Sequence, residues 1–204
     1  VVYKSNGTVG LYDGIIKGKN NAVYYGEINE VADGTEIIKG TDTIDNEQYY
    51  TAYLYVQDDF LQVYGGGTYN SLKKAVGAIT GTGKIIVYRD GKVSSTSTIP
   101  SSKNITLDLH VNKITASVPI TNEGTLTIID EGAVTANGKT GKIENTVSNV
   151  IENKKTLVID DGIFESTSGD IIRQNTSNTN TTINGGTFNS KSGNNNYVVY
   201  ISTT

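Results

Sequence analysis

The sequence predicts an all-β fold: a right-handed, single-stranded parallel β-helix with a short N-terminal capping helix and a small β-hairpin module. A motif of strand length returns along the chain, at residues 8–16, 125–134, 156–164 and 180–188. Each copy has alternating apolar residues, a polar turn, a glycine and then another apolar residue two positions later. Such repetition is typical of solenoids. The 23 glycines and two prolines also suit a β protein with many turns.

The copy at residues 156–164 shows how one coil is expected to be built. Leu157 and Ile159 alternate and therefore share one face of a strand. Gly162 supplies the backbone angles of a bend, and Phe164 then lies on the inward face of a second strand. A third apolar pair follows each bend, at Val23–Tyr24, Val150–Ile151, Ile171–Ile172 and Val198–Val199. Each coil is thus expected to contain three short strands separated by polar corners.

The spacing of the strands predicts how the coils stack. Apolar triplets at residues 85–87 and 105–107 extend the series upstream, which gives five coils from Ile85 onward. Each strand would pair with its counterpart one coil away, about 4.8 Å along the axis, while the corner loops vary in length. Segment Ala136–Asn149 is interpreted as a polar excursion. Two inward columns are expected: Leu107, Leu126 and Leu157, and Val134, Phe164 and Phe188.

Residues 70–79 predict a helix that covers one end of the β-helix. Asn70 and Ser71 are residue types that cap helices. The apolar residues that share one face of this helix are Leu72, Ala75, Val76 and Ile79. An open β-helix end exposes apolar side chains and an unpaired strand edge, which a lid of this kind covers.

Three segments are expected along the chain. Residues 1–30 are interpreted as the terminal coil of a preceding β-helix unit, residues 31–66 as a β-hairpin or linker module, and residues 67–204 as the β-helix with its capping helix. Eleven of the thirteen tyrosines lie at or before Tyr88, which supports a boundary near Gly65–Gly67, interpreted as a hinge.

The two ends of the chain resemble each other. Val1–Ser5 and Val198–Ser202 share a Val-Val-Tyr start and a serine at the fifth position. We therefore expect the chain to be about one period of a tandem array. Because it contains no methionine, we also expect it to be a piece of a longer protein.

Composition excludes several classes of function. The absence of cysteine excludes disulfides and thiolate metal sites. A net charge of −4 with scattered lysines argues against a nucleic-acid partner. No apolar run is long enough for a membrane-spanning helix, so no membrane insertion is expected in this segment. The sequence predicts no cofactor and no metal.

Carboxylates are candidate catalytic groups because β-helices include polysaccharide lyases and glycoside hydrolases. Asp160 and Asp161 are the best pair, but adjacent strand residues point to opposite faces and aspartate also suits tight turns. Arg89 and Arg173 lie outside acid-rich coils, and His110 reads as a corner residue. Gly65–Gly67 lacks the Lys-Ser/Thr of a nucleotide loop. We therefore predict no catalytic residues.

Two sets of residues leave ligand binding open. The asparagines between Asn175 and Asn196 could bind sugars or accept glycans, although stacking at solenoid corners is the favoured interpretation. Tyrosines can stack on sugars or anchor a protein, yet a core for the small module is favoured here. These tyrosines are Tyr49, Tyr50, Tyr53 and Tyr55. No ligand-binding residue is assigned.

Several segments resemble large Gram-positive bacterial surface proteins of the pectin-lyase-like superfamily. Residues 124–128, 155–162 and 182–188 resemble their coils, and residues 70–76 with 99–109 resemble the segment that opens such domains. Residues 12–18, 40–45 and 50–54 are similar to the segment between units. The resemblance implies an extracellular location, at the cell surface or cell wall.

We therefore expect a non-catalytic stalk or adhesin segment of an exported bacterial surface repeat protein. The possible partners are a host or cell-wall glycan, a surface protein, and tandem copies of the same unit. A carbohydrate-binding or polysaccharide-degrading β-helix, either lyase or glycosidase, is the alternative. A groove lined by two acids and a base would favour that alternative, whereas a flat polar face would favour the stalk.

Overall fold

The structure is a computed structural model that describes two compact units, Val1–Gln57 and Asp58–Thr204. Its described residues are 2–3, 10–11, 15–18, 23–24, 30–31, 35–44, 47–132, 140–191 and 196–202. Up to residue 56, only the backbone is described, except at Glu47 and Gln48. The division into segments 1–30, 31–66 and 67–204 stays a prediction, although the boundary between the compact units lies after Gln57.

The first unit combines parallel strand pairs with an antiparallel hairpin. Its strands are β1 (Val2–Tyr3), β2 (Gly10–Leu11), β3 (Ile15–Gly18), β4 (Val23–Tyr24), β5 (Glu30–Val31), β6 (Thr35–Ile44) and β7 (Glu47–Val56). β1 pairs in parallel with β4, and β2 pairs in parallel with β5, as successive coils require. β6 and β7 form the expected hairpin. β3 instead pairs antiparallel with β7. One edge of β7 pairs with β6, and its other edge offers backbone hydrogen-bond partners to β3. The expectation that Ile15 and Ile16 form a coil strand is therefore wrong.

The described residues of the second unit form one helix and seventeen strands. It begins with β8 (Leu61–Val63), β9 (Thr68–Tyr69) and α1 (Leu72–Ala78). The strands that follow are β10 (Thr82–Val87), β11 (Gly91–Val93), β12 (Ser97–Ile99), β13 (Asn104–Asp108), β14 (Lys113–Ala116), β15 (Ile120–Asn122), β16 (Thr125–Ile129), β17 (Lys142–Asn145), β18 (Ile151–Asn153), β19 (Thr156–Ile159), β20 (Ile163–Ser166), β21 (Ile172–Gln174), β22 (Asn180–Ile183), β23 (Thr187–Ser190) and β24 (Val199–Ile201).

Strands β10 to β24 stack into three parallel sheets. The first sheet has the order β10-β13-β16-β19-β22, the second β11-β14-β17-β20-β23 and the third β12-β15-β18-β21-β24. Each strand pairs with its counterpart one coil away, for example Thr125 with Thr156. β8 extends the first sheet by pairing antiparallel with β10, and β9 pairs with β8. The predicted parallel solenoid of about five coils is confirmed.

Inward side chains of the first sheet form apolar columns. The columns are Ile85, Leu107, Ile128 and Ile159, and beside them Ile105, Leu126 and Leu157, all buried. The expected column of Leu107, Leu126 and Leu157 is therefore wrong, because Leu126 stands opposite Ile105 and not Leu107. A shift of two residues keeps every side chain on the same face, so hydrophobic alternation does not reveal it.

The second sheet continues the core with stacked aromatic rings. Phe164 and Phe188 stand in register, with ring centroids 5.1 Å apart and ring planes 11° apart, as the expected column requires. Val134 lies outside the described residues, and Ile143 is the residue that stands opposite Phe164. β17 lies inside the segment Ala136–Asn149. The interpretation of that entire segment as a polar excursion is therefore wrong. Ile143 is the one apolar residue of this strand. Lys142 and Glu144, on either side of it, pair with each other on the outer face.

Helix α1 confirms the expected helix within residues 70–79. The Ser71 side chain caps it by accepting a hydrogen bond from the Lys74 backbone N–H at 3.1 Å. Its apolar face is buried against β8, β9 and β12, at the first coil. Lys103 donates to the carbonyl oxygens of Val76 and Gly77, which places a positive charge at the negative end of the helix.

Two fully buried asparagines form a ladder between the third and first sheets. Asn122 and Asn153 stand in register, and Asn122 Nδ2 donates to Asn153 Oδ1 at 2.8 Å. Asn153 Nδ2 donates to the Asn180 carbonyl at 3.1 Å, and its Oδ1 also accepts from the Lys155 backbone N–H. These side chains satisfy buried backbone groups where the strands end. Asparagines thus stack at a corner here, whereas the stacking expected between Asn175 and Asn196 stays a prediction, since Asn194 and Asn195 lie outside the described residues.

We expect Asn153→Ala to lower the free energy of unfolding by about 1–3 kcal/mol, because it leaves buried partners without hydrogen bonds. Asn104→Ala removes an exposed asparagine at the start of β13 and is the matched control, with an expected change within about 0.5 kcal/mol. Urea denaturation followed by circular dichroism measures both. Equal destabilisation by the two substitutions would contradict a structural role for the ladder.

Candidate functional site

The Asp160–Asp161 pair is engaged in corner contacts. Asp160 Oδ1 accepts a hydrogen bond from Asn184 Nδ2 at 2.6 Å, which joins two successive coils. Asp161 Oδ1 accepts from the backbone N–H of Gly162 at 2.7 Å. Gly162 has a φ of +113°, a conformation that side chains rarely adopt. The contacts of both carboxylates are those of turn residues.

His110 lies at a corner that buried aspartates hold in place. His110 and Val111 both have positive φ angles, 46° and 58°. Asp108 accepts from the His110 backbone N–H at 3.0 Å, and Asp130 accepts from the Val111 backbone N–H at 2.7 Å. Asp130 also accepts from the Gly141 backbone N–H at 2.6 Å. These carboxylates therefore stabilise a strained corner, and the His110 side chain is about half exposed.

Lys84 bridges two acidic residues beside this corner. Its ammonium lies 3.0 Å from Asp108 Oδ2 and also contacts Glu131. Burial lowers the pKa of Lys84, but hydrogen bonds from Lys84 to Glu131 and Asp108 outweigh it and raise the pKa above its ordinary value. The sequence did not suggest this cluster, since its members come from three coils.

A charged face covers the outer side of the second sheet, and we define it as Lys113, Lys142, Glu144, Glu165 and Lys191. Lys142 lies 2.8 Å from both Glu144 and Glu165, and so it links neighbouring coils. Lys113 pairs with Glu144 at 3.1 Å, and Lys191 pairs with Glu165 at 3.0 Å. The face is thus a continuous row of alternating charges.

The charged face shifts the pKa values of its acids. Hydrogen bonds from Lys142 and then Lys191 lower the pKa of Glu165 to about 2. Burial raises the pKa of Glu144, but hydrogen bonds from Lys142 and Lys113 outweigh it and lower that pKa below its ordinary value. Both groups are therefore ionised at neutral pH and act as fixed negative charges.

Two further predictions concern residues before the coils. Gly65–Gly67 forms the turn between β8 and β9, where the Gly66 backbone N–H donates to the Val63 carbonyl at 2.8 Å and Gly65 has a φ of 73°. The expected hinge is therefore a hydrogen-bonded hairpin turn, which connects β8 to its antiparallel partner β9. The side chains of Tyr49, Tyr50, Tyr53 and Tyr55 lie outside the described residues.

A cleft of about 500 Å³ opens at the corners between the second and third sheets. We call it the Arg173 cleft. Three successive corners, at residues 146–150, 167–171 and 196–198, contribute to its lining. Its principal side chains are Asn149, Asp170, Arg173, Tyr197 and Tyr200.

Buried Asp170 organises the Arg173 cleft. Asp170 Oδ1 accepts from the Tyr197 backbone N–H at 2.9 Å, and Oδ2 accepts from Arg173 Nη1 at 3.3 Å. The backbone N–H of Asp170 donates to Asn149 Oδ1 at 2.9 Å. The guanidinium of Arg173 lies over the Tyr200 ring, 4.8 Å from its centroid, in a cation–π contact. The side chains are therefore positioned by contacts between coils.

Sequence reasoning missed this cleft. No acid-rich coil surrounds Arg173 in the sequence, yet its partner Asp170 is three residues upstream. Tyr200 stands opposite Arg173 in the next coil, a pairing that requires knowledge of the register. Arg89, the other arginine, lies 3.4 Å from the exposed Asp58.

Comparisons with protein-family models, with curated proteins and with solved structures found no match. Within the described residues, no group of three or more histidine, aspartate and glutamate side chains could hold a metal ion. No helix in the described part of the chain has the length and apolar character needed to cross a membrane. The parallel pairing of strands in three sheets shows a β-solenoid at the level of architecture.

We expect the contribution of Glu165 to stability to depend on pH. Because its folded-state pKa is lowered to about 2 from 4.5, its stabilisation is complete above pH 4.5 and is lost as the pH falls toward 2. Glu165→Gln should therefore be less stable than the parent chain at pH 7, and the gap should close at low pH. Urea denaturation midpoints between pH 7 and pH 2 measure this difference.

Glu123→Gln is the matched control for this series. Glu123 pairs with Lys154 at 3.0 Å, and both side chains are over 40% exposed. An exposed pair contributes about 0–1 kcal/mol, so a small and nearly constant difference from the parent chain is expected. A gap for Glu165→Gln that stays constant with pH would contradict the assignment.

Proposed function

We propose that this chain is a non-catalytic stalk or adhesin segment of an exported bacterial surface repeat protein. The observation that carries the proposal is the parallel pairing of strands through five coils in three sheets. Such a solenoid is a rod that gains about 4.8 Å with each coil. The resemblance of its coils to pectin-lyase-like surface proteins supports an extracellular location at the cell surface or cell wall.

The arrangement of acidic residues supports the absence of catalysis. Cleavage of polysaccharides by hydrolysis or elimination uses an acid and a base, commonly two carboxylates, that face one cleft. Among the described lining residues of the Arg173 cleft, Asp170 is the one carboxylate, and its oxygens accept hydrogen bonds from Arg173 and Tyr197. One oxygen of Asp160 and one of Asp161 accept hydrogen bonds from corner groups. A polysaccharide-degrading function is therefore the weaker alternative.

The charged face also supports a structural role. Its ion pairs link β14, β17 and β20, and Lys191 after β23 extends them to a further coil. On the first sheet, outward positions carry threonines such as Thr106 and Thr127, which suit a flat solvated surface. A flat face of this kind was the feature expected of a stalk.

Tandem copies would extend the rod. Val199 and Tyr200 in β24 correspond in sequence to Val2 and Tyr3 in β1. β1 pairs in parallel with β4, with Val2 opposite Val23 and Tyr3 opposite Tyr24. We infer that a following copy would supply a strand like β4 next to β24. A longer polypeptide without a second hairpin–helix–coil series would exclude this arrangement.

We expect no depolymerisation when the chain is incubated with uronic-acid polymers, xylan, chitin or cell-wall glycan. The reason is that Asp170, the one carboxylate among the described lining residues of the Arg173 cleft, is paired with Arg173. Release of reducing ends and absorbance of unsaturated uronates measure the two kinds of cleavage, with a known lyase and a known hydrolase as positive controls. Turnover of any of these polymers that Asp170→Asn abolishes would overturn the non-catalytic assignment.

We expect the second unit to extend stepwise when it is pulled from its two ends. Thr82, Asn104, Thr125, Thr156 and Asn180 stand in register, which gives coils of 22, 21, 31 and 24 residues. Release of one coil should therefore lengthen the chain by about 7–11 nm, because each coil contacts only its neighbours. Single-molecule force spectroscopy measures these steps. A single extension of about 50 nm would contradict a rod of separable coils.

A further inference from the structure

The Arg173 cleft carries features that the solenoid ladder does not require. The side chain of Arg173 is 39% exposed and Tyr197 is 50% exposed, although both are held by Asp170, whose side chain is 4% exposed. We propose that this cleft binds a neutral oligosaccharide, which stacks on Tyr197 and hydrogen-bonds to Arg173 and the surrounding polar groups. This binding goes beyond the proposed function as a stalk.

The aromatic residues provide a stacking surface. The ring centroids of Tyr197 and Tyr200 lie 5.7 Å apart, and the ring planes are inclined by 38°, so the two rings lie beside each other at an angle. Arg173 covers the Tyr200 ring, which leaves Tyr197 as the more exposed ring. Aromatic rings with a polar tip bind ligands that present an apolar face and polar edges. The C–H face and hydroxyl groups of a pyranose ring have this character.

The charge of the cleft favours an uncharged ligand. Arg173 is the only cation and Asp170 the only anion among the described lining residues, and they pair at 3.3 Å. The cleft therefore has no net charge to offset the desolvation of a carboxylate or phosphate. A neutral sugar has no charged group to desolvate on binding. An acidic sugar would compete with Asp170 for the guanidinium of Arg173.

Polar groups on the lining match sugar hydroxyls. Asn149 Oδ1 already accepts from the Asp170 backbone N–H, which fixes the amide so that its NH₂ group serves as a donor. Ser168 Oγ donates to the Thr146 carbonyl at 3.1 Å, so its oxygen remains an acceptor. Arg173 presents several N–H donors in a fixed plane. With a volume of about 500 Å³, the cleft lies within the range of small-ligand pockets.

Saturation-transfer NMR on the 204-residue chain tests the proposal. The probes are cellotetraose, chitotetraose, maltotetraose and mannotetraose as neutral sugars, and tetragalacturonate as the acidic one. We expect at least one neutral probe to bind with a Kd on the order of 1 mM or below, which suits a single open site. We expect tetragalacturonate to bind more weakly than that probe.

Variants then locate the binding site. Tyr197→Ala should weaken binding of the neutral probe by about tenfold or more, because it removes the stacking ring. Arg173→Gln should weaken it by a similar factor. Tyr64→Ala is the matched control, because Tyr64 is 75% exposed and lies at the opposite end of the coil stack, after β8. It should leave affinity within about twofold of the parent chain, the scatter expected of a residue outside the binding site.

Each other outcome overturns the proposal. No binding of any neutral probe at about 10 mM would exclude the site at any useful affinity. Equal or tighter binding of tetragalacturonate would exclude the neutral ligand class. Binding that survives both Tyr197→Ala and Arg173→Gln would place the sugar elsewhere. Thermal unfolding and ¹H–¹⁵N spectra confirm that each variant is folded, so a loss of binding reports on the cleft.

Discussion

The pairing of each strand with its counterpart one coil away determines where the other features of the second unit lie. Backbone hydrogen bonds set the spacing between coils at about 4.8 Å. Because side chains alternate, the same register places Leu126 above Ile105 inside the core and Thr127 above Thr106 outside it. The inner columns form the apolar core, and the outer columns form the solvent-facing surface.

At the corners between strands, the backbone needs hydrogen-bond partners other than the neighbouring coil. Backbone groups that leave a strand lose their ladder partners and need others. Buried polar side chains supply them: Asn153 at one corner, Asp130 at another and Asp170 at a third. Asp170 also orients Arg173, so one buried carboxylate both completes a corner and positions the cleft side chains.

Periodicity in the sequence predicts the coils, the helix and the hairpin, because each has a clear spacing of apolar residues. It fails at β17, where Ile143 is the one apolar residue between charged neighbours that pair across coils. Periodicity also does not predict the register between strands. A shift of two residues leaves Leu107 facing inward, so the apolar pattern is the same in both registers. The Arg173 cleft could not be predicted, because Arg173 and Tyr200 become neighbours only once the coil length is known.

The unequal coils have a consequence for how such a gene can change. The coil between Thr125 and Thr156 is longer than its neighbours, yet the strands on both sides keep their pairing. Extra residues at a corner thus leave the inner stack intact. Duplication or loss of an entire coil would likewise require only one new junction. Recombination can therefore lengthen, shorten or decorate such a polypeptide in whole increments while the remaining layers fold as before.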